Sequence, residues 1–401
     1  MKNRETRSGV GFIIPLAVFL GGIGGGIVFP ILPVLGLKLG LSAFFIGLII
    51  AANKLSRVLF NQIAGAAIDA FGGKRPLIIG LIVEAIGSVF YIASLKMPYS
   101  GWILLFGRIV WGLGSALVFI SANTIALNLS KRSNRGQLTA KVRIALSLGV
   151  PAGLVIGGIL STLYNDETAF FSSIVASIIG GLVVWFFFED TPIEFKSALN
   201  IKESLRFMFK NPPSTIIGSG NLITFFAIQG VVMATLVLFV KHRQIHLISD
   251  DPRFVSGIVM AFMMFSGGIG GIIAGRIVDS LKYRSTIGIP SVVIVFLGFV
   301  LLASSNNTTE VIIALIMIGS AIGINNVSLL SILGDITPPK NRGKAVGVYQ
   351  MLGDVGGSLG PIFGIQLGLA LGFDTMYIMT GFIFLFNLAV FFKLLMLEKA
   401  S

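Results

Sequence analysis

The chain contains no cysteine, which excludes disulfides, thiolate metal ligands and cysteine nucleophiles. Histidine is nearly as scarce: His242 and His246 share one short polar loop. Chemistries that need a buried imidazole base or a histidine-rich metal cluster therefore lack their parts, and no enzyme activity, metal or cofactor is expected. Charged residues make up only 12 % of the 401 positions. No G-x-x-x-x-G-K-S/T sequence occurs, so ATP cannot act through a phosphate-binding loop of that kind. What fills the chain instead is apolar. Hydrophobic residues reach 55 % and mean hydropathy is +0.93, more than a water-soluble domain of this length tolerates.

A bilayer core of about 30 Å is crossed by roughly 20 apolar residues in helical form, because lipid offers nothing to an unpaired peptide group. Twelve windows qualify, at 10–35, 43–67, 77–95, 102–127, 138–160, 170–188, 215–240, 254–278, 287–304, 311–333, 345–371 and 376–397. The first follows Lys2, Arg4 and Arg7 like a secretory signal. It is too long for one and has no small-residue cleavage site, so it is expected to stay as a span. The net charge of +13 is not a nucleic-acid footprint. With the N-terminus cytoplasmic, the loops on that side collect Lys74, Arg75, Lys131, Arg132, Arg135, Lys282, Arg284, Lys340 and Arg342. Only Lys38, Lys96, Lys241, Arg243 and Arg253 fall on the other side. Both termini are thus expected inside a cell membrane.

One long polar connection, 189–213, separates six spans in 1–188 from six in 214–401. Within it Ile201, Leu205, Met208 and Phe209 recur at helical spacing among Lys202, Arg206 and Lys210, which predicts an interfacial helix; a solvated linker is the alternative. The halves repeat each other. Gly47, Gly65 and Asp69 recur as Gly257, Gly275 and Asp279. Asn134, Arg135 and Gly136 recur as Asn341, Arg342 and Gly343, while Gly112, Gly149, Gly153 and Gly157 recur as Gly319, Gly356, Gly360 and Gly364. Two nearly equal offsets shared by this many residues indicate duplication of a six-span unit.

The loop after the second span reads Gly65, Asp69, Gly72, Gly73, Lys74, Arg75, and resembles the G-x-x-x-D-x-x-G-R-R/K motif of the major facilitator superfamily, with Gly73 at a position where that family usually has a cation. A weaker copy is Gly275, Asp279, Lys282, Arg284. Arg108, Gly112, Gly114, Ser115 and Ala116 resemble the family's second motif, with Trp111 in place of a glutamine. Gly149, Gly153, Gly157 and Gly158 resemble the glycine-rich motif of its efflux branches, although Leu154 stands where a proline belongs; Pro361 keeps that proline in the second copy. The resemblance implies an all-α integral membrane protein of twelve transmembrane helices in two pseudo-symmetric six-helix bundles that rock about a central cavity. It further implies a monomer that exports drugs or metabolites, and an Asp69 that latches the outward-open state. A structural ion pair at Asp69 is the plainer alternative.

Energy would then come from an ion or solute gradient. Charges inside spans are costly and become candidates by default. Lys54 and Arg57 lie one turn apart on the second span, and by depth Arg57 is expected to reach Glu84 in the third. Such a pair holds the carboxylate ionised, and its separation admits a proton, so Glu84 is a coupling candidate; a static ion pair fixing helix register is the alternative. Asp354 is its rival. Arg108 is expected to meet an anionic substrate, act on a carboxylate, or snorkel outward. Asn123, Asn221, Gln229, Asn325 and Asn326, with Phe225, are expected to line a mostly apolar cavity suited to amphipathic solutes. The glycines of spans five and eleven are expected either to let the two bundles slide or to serve ordinary helix packing. Gly21, Gly22, Gly24, Gly25 and Gly26, with Pro30 and Pro33, predict a flexible or broken first span. Proton-coupled export leads; uptake or facilitated passage of a metabolite, anionic given Lys54, Arg57 and Arg108, is second, and a membrane enzyme or non-transporting sensor is remote. The expected partners are a small-molecule substrate, protons and membrane lipids.

Overall fold

The computed structural model describes the backbone of residues 2–129, 135–189, 201–338 and 341–400. Those residues are helical almost throughout, with no strand among them. The helices are α1 Lys2–Lys38, α2 Ala43–Phe71, α3 Lys74–Ser94, α4 Ser100–Leu129, α5 Arg135–Leu163, α6 Asp166–Phe187, α7 Ile201–Lys210 and α8 Pro212–Phe225. A π-helical turn, Phe226–Val232, joins α8 to α9 Met233–Arg243. Then follow α10 Pro252–Val278, α11 Ser285–Ser304, α12 Thr308–Ile336, α13 Arg342–Leu371 and α14 Phe373–Ala400. Twelve segments are long and apolar enough to cross a membrane, with α8, the π turn and α9 forming one of them. Among the described residues this is an all-α, multi-pass membrane protein.

The chain divides into two compact units, one of residues 1–40 and 52–199, the other of 41–51 and 200–401. The second division falls within the 189–213 connection; residues 190–200 of that connection lie outside the described ones.

Helix starts and stops follow local chemistry. Asn165 accepts from the Thr168 amide at 2.8 Å to cap α6, and Asn307 does the same for Glu310 at the start of α12. Gly72 takes a φ of +80° in the two-residue turn between α2 and α3, a conformation open to glycine at no cost. The first unit closes around Ile14, Val18, Leu77, Leu81, Val118, Ala122 and Val184 from α1, α3, α4 and α6. In the second, Phe239, Phe299 and Tyr377 are wholly buried, with the Phe239 and Tyr377 rings 5.3 Å apart edge to face.

One expectation changes here. The first span is one continuous helix despite Pro15, Pro30 and Pro33. Its glycines serve contact rather than bending: Gly22 lies against Gly149, and Gly26 against Gly153 and the Val150 carbonyl. Of the two roles expected for the glycines of spans five and eleven, the contacts are those of helix packing inside each unit. Gly149, Gly153 and Gly157 pack on α1, and Gly356, Gly360 and Gly364 pack on α8 and the π turn. Small residues let backbones approach where lipid supplies no hydrophobic drive for association. Gly158 is also buried, and its carbonyl accepts from Ser161. In α7 Phe207 packs inward at 9 % exposure and Phe209, on the face that spacing marks as apolar, is 79 % exposed, as an interfacial ring would be.

Arg243 fastens the far end of α9. It donates to Asp374 at 2.6 Å, to Asn306 at 2.9 Å and to the Ala303 carbonyl at 3.3 Å. Asp374 is half exposed, so salt screens the pair. Asp374→Asn is expected to cost about 1 kcal/mol in thermal unfolding of the purified protein, and less at high ionic strength. An unfolding temperature that does not move at any salt concentration would rule the clamp out.

Candidate functional site

The most unusual feature of the first unit is a polar cluster within it at membrane depth. Helical spacing puts Glu84, Ser88 and Tyr91 on one face of α3. Facing them are Arg108 and Trp111 of α4, Ser173 of α6 and the glycines of α1. Glu84 and Arg108 are each 2 % exposed, and Tyr91 and Ser88 are wholly buried. Close helix approach is what allows this. A Cβ on Gly114 would stand 2.7 Å from the Glu84 amide and 2.9 Å from its Cγ, and one on Gly21 would stand 2.9 Å from Glu84 Oε2. Gly24 makes room in the same way for Ser173 Oγ and the Trp111 indole nitrogen.

Ser88 and Ser173 hydrogen-bond to each other at 2.9 Å, and Ser88 also donates to the Glu84 carbonyl. Arg108 and Glu84 both act electrostatically on the Tyr91 hydroxyl. Glu84 Oε2 and the Trp111 indole N–H are nevertheless buried without hydrogen-bond partners. A buried polar atom left so costs about 1–3 kcal/mol, and clusters kept at that cost are where function concentrates.

The expected partner of Glu84 is elsewhere. The Arg57 guanidinium sits 5.6 Å from the centre of the Phe119 ring of α4, a cation–π contact. Lys54 is half-buried on the same helix and engaged. Arg108 does not snorkel, because its side chain turns into the bundle toward Tyr91.

The second unit has a counterpart built from amides. Asn221 donates to the Tyr349 carbonyl at 2.8 Å. Thr224 donates to Asn325 at 3.3 Å, and Asn387 donates to Thr224 at 3.5 Å. Asn221, Asn325 and Asn387 are all wholly buried. Asn221 and Asn325 are thus buried among the helices of the second unit, each with one amide atom, Asn221 Oδ1 and Asn325 Nδ2, left without a partner. Asn123, Phe225, Gln229 and Asn326 keep partial exposure. Asn123 spends its amide on the Phe119 carbonyl one turn back, and Gln229 lies in the π turn. Asp354 is wholly buried and engaged.

In the loop motif Gly65 is buried and Asp69 is exposed and engaged. Lys74 donates to the Trp185 carbonyl at 2.9 Å, tying the start of α3 to the end of α6. Arg75 is exposed, and the Arg135 side chain lies outside the described residues. In the second copy Arg284 contacts Asp279 at 3.6 Å but bonds Asp335 more closely, at 2.7 Å. Gly275 has no neighbour within 4 Å of where its Cβ would be.

Sequence reasoning missed Tyr91, Ser88, Ser173, Thr224 and Asn387. The i, i+4, i+7 spacing of Glu84, Ser88 and Tyr91 was the available signal for the first two.

Comparison with known proteins bears on both the whole chain and its build. A family model described as Major Facilitator Superfamily matches residues 15–361 and 325–401. The chain is 23 % identical over 374 residues to Multidrug resistance protein 2 of Bacillus subtilis, covering 92 % of this chain and 90 % of that one. It is 24 % identical over 403 residues to the Multi-drug resistance efflux pump PmrA of Streptococcus pneumoniae, covering 95 % and 96 %. Among solved structures, it is similar to a bacterial homolog to the human lysosomal transporter Spinster in an inward-facing and occupied conformation. The TM-score there is 0.80 at 16 % identity, with 97 % and 96 % of the chains covered.

Proposed function

From the fact that this chain belongs to the Major Facilitator Superfamily and is a membrane transporter of small molecules, we propose that it exports amphipathic organic solutes in exchange for protons. The observation that carries the proton half is Glu84: a carboxylate 2 % exposed at membrane depth, with Oε2 lacking any hydrogen bond. A carboxylate in such a place changes charge only by taking or releasing a proton, and Tyr91 lies where it senses that change. Asp354 has engaged surroundings and is the weaker candidate. The export half is supported by the efflux pumps among the relatives. Within the second unit the partly exposed Phe225, Gln229 and Asn326 have the mixed apolar and amide character that suits such solutes. Cytoplasmic termini, with the substrate moving outward, complete the proposal.

The test is uptake of a panel of fluorescent lipophilic cations and small organic anions into everted vesicles, with and without an imposed pH gradient. Accumulation of at least one lipophilic cation only when the gradient is present is the expected result. Movement of anions alone, indifferent to the gradient, would overturn the proposal in favour of a metabolite facilitator.

A further inference from the structure

We infer that α7 and the start of α13 form a binding site for the phosphate of an anionic membrane phospholipid. Arg206, Phe207, Lys210 and Asn211 come from α7 and the residue after it, and Asn341 and Lys344 from the start of α13. Together they line a cavity of about 250 Å³. Three cations and two side-chain amides converge there, and no acidic side chain is among these lining residues. The cavity is smaller than the roughly 300–1,000 Å³ of sites that enclose a drug-sized solute. It suits a phosphate with its glycerol.

The site is held rather than floating. α7 packs on both α8 and α13. Phe207 is buried beneath it. Asn211 donates to the Phe207 carbonyl at 2.9 Å, and Thr215 of α8 donates to the Met208 carbonyl at 2.7 Å. Arg206 and Lys210 lie one turn apart on a single face, and α13 begins beside them.

Phe209 decides between a lipid and a free phosphate compound. It adjoins Lys210, is 79 % exposed, and projects from a short basic helix lying at the ends of two membrane spans. An aromatic ring there is favoured at the boundary of headgroup and acyl chain and disfavoured in water. A phospholipid uses both features at once: its phosphate meets the cations and its chains run past the ring. Basic pockets between spans are suited to anionic headgroups for this reason.

The experiment uses the full-length protein, delipidated in detergent and titrated with phosphatidylglycerol or phosphatidylcholine, with bound lipid counted by native mass spectrometry. Phosphatidylglycerol is expected to bind in preference to the zwitterionic lipid. Each cation contributes about fivefold to affinity. The triple variant Arg206→Gln, Lys210→Gln, Lys344→Gln is therefore expected to weaken binding about a hundredfold. Lys282→Gln with Lys399→Gln, which removes two cations lying near the Tyr283 ring, should leave it unchanged. Lys210→Gln alone, at an exposed position, gives a fivefold reading even if the triple variant folds poorly. Equal retention of both lipids, an unaffected Lys210→Gln, or displacement of phosphatidylglycerol by inorganic phosphate at comparable concentration would overturn the inference. The last would identify a site for soluble phosphate instead.

Discussion

Gly153→Val and Gly360→Val are each expected to yield little or no folded protein. A Cβ on Gly153 would overlap the Ile23 carbonyl and stand 2.9 Å from Gly26 Cα. One on Gly360 would overlap Gly230 and press on the Phe226 carbonyl. Side chains can turn away from an intruding methyl, but main-chain atoms move only with their whole helix. The cost should therefore exceed about 3 kcal/mol, the upper end of ordinary overpacking. Gly268→Ala and Gly275→Ala are the matched controls, since neither Cβ would meet anything within 4 Å. They are expected to be neutral or slightly stabilising, because alanine is the better helix former. Size-exclusion profile and thermal unfolding in detergent report both. A monodisperse Gly153→Val with wild-type unfolding temperature would show that α1 and α5 are not locked at this crossing.

Glu84→Gln is expected to reduce gradient-driven accumulation to the level of vesicles without a gradient, while substrate counterflow, which needs no net proton movement, persists. The glutamine keeps the shape that Gly21 and Gly114 accommodate and removes only the exchangeable charge. A side chain that merely holds helices together would lower counterflow and accumulation alike, so the ratio of the two isolates coupling. Asp354→Asn is expected to keep gradient dependence. If both variants keep it, neither carboxylate couples transport to protons.

The twelve spans were legible because a bilayer imposes one length on every crossing and tolerates few charges within it. The duplication was legible because glycines at close backbone approaches cannot drift, and so survive in register. Which way each span faces was not legible. In α3 almost every residue is apolar, so the alternation that normally marks the inward side of a helix is missing. Arg57 was matched to Glu84 by depth alone, and depth carries no information about rotation around the helix axis; the structure turns it to Phe119. The same ambiguity hid the partners of Asn221 and Asn325, Tyr349 and Thr224, which packing sets. Pro30 and Pro33 suggested a break in α1 because the sequence does not show that a neighbouring helix runs along it.

The π turn at Phe226–Val232 can be read as a counting mark. Up to its first residue, the carbonyl that meets the α5 or α13 glycine belongs to Phe19 in the first unit and Leu222 in the second, then to Ile23 and Phe226, each pair 203 apart in number. Further into it, the contacts belong to Gly26 and Gly230, then Ile27 and Val231, each pair 204 apart. The second copy thus carries one extra residue, looped into a wide turn so that the glycine contacts on both sides stay aligned. A helix that gains one residue without such a turn is rotated by about 100° beyond the insertion, which here would have carried Arg243 away from Asp374. The wide turn thus lets this span differ from its counterpart in length while its glycine contacts stay in register.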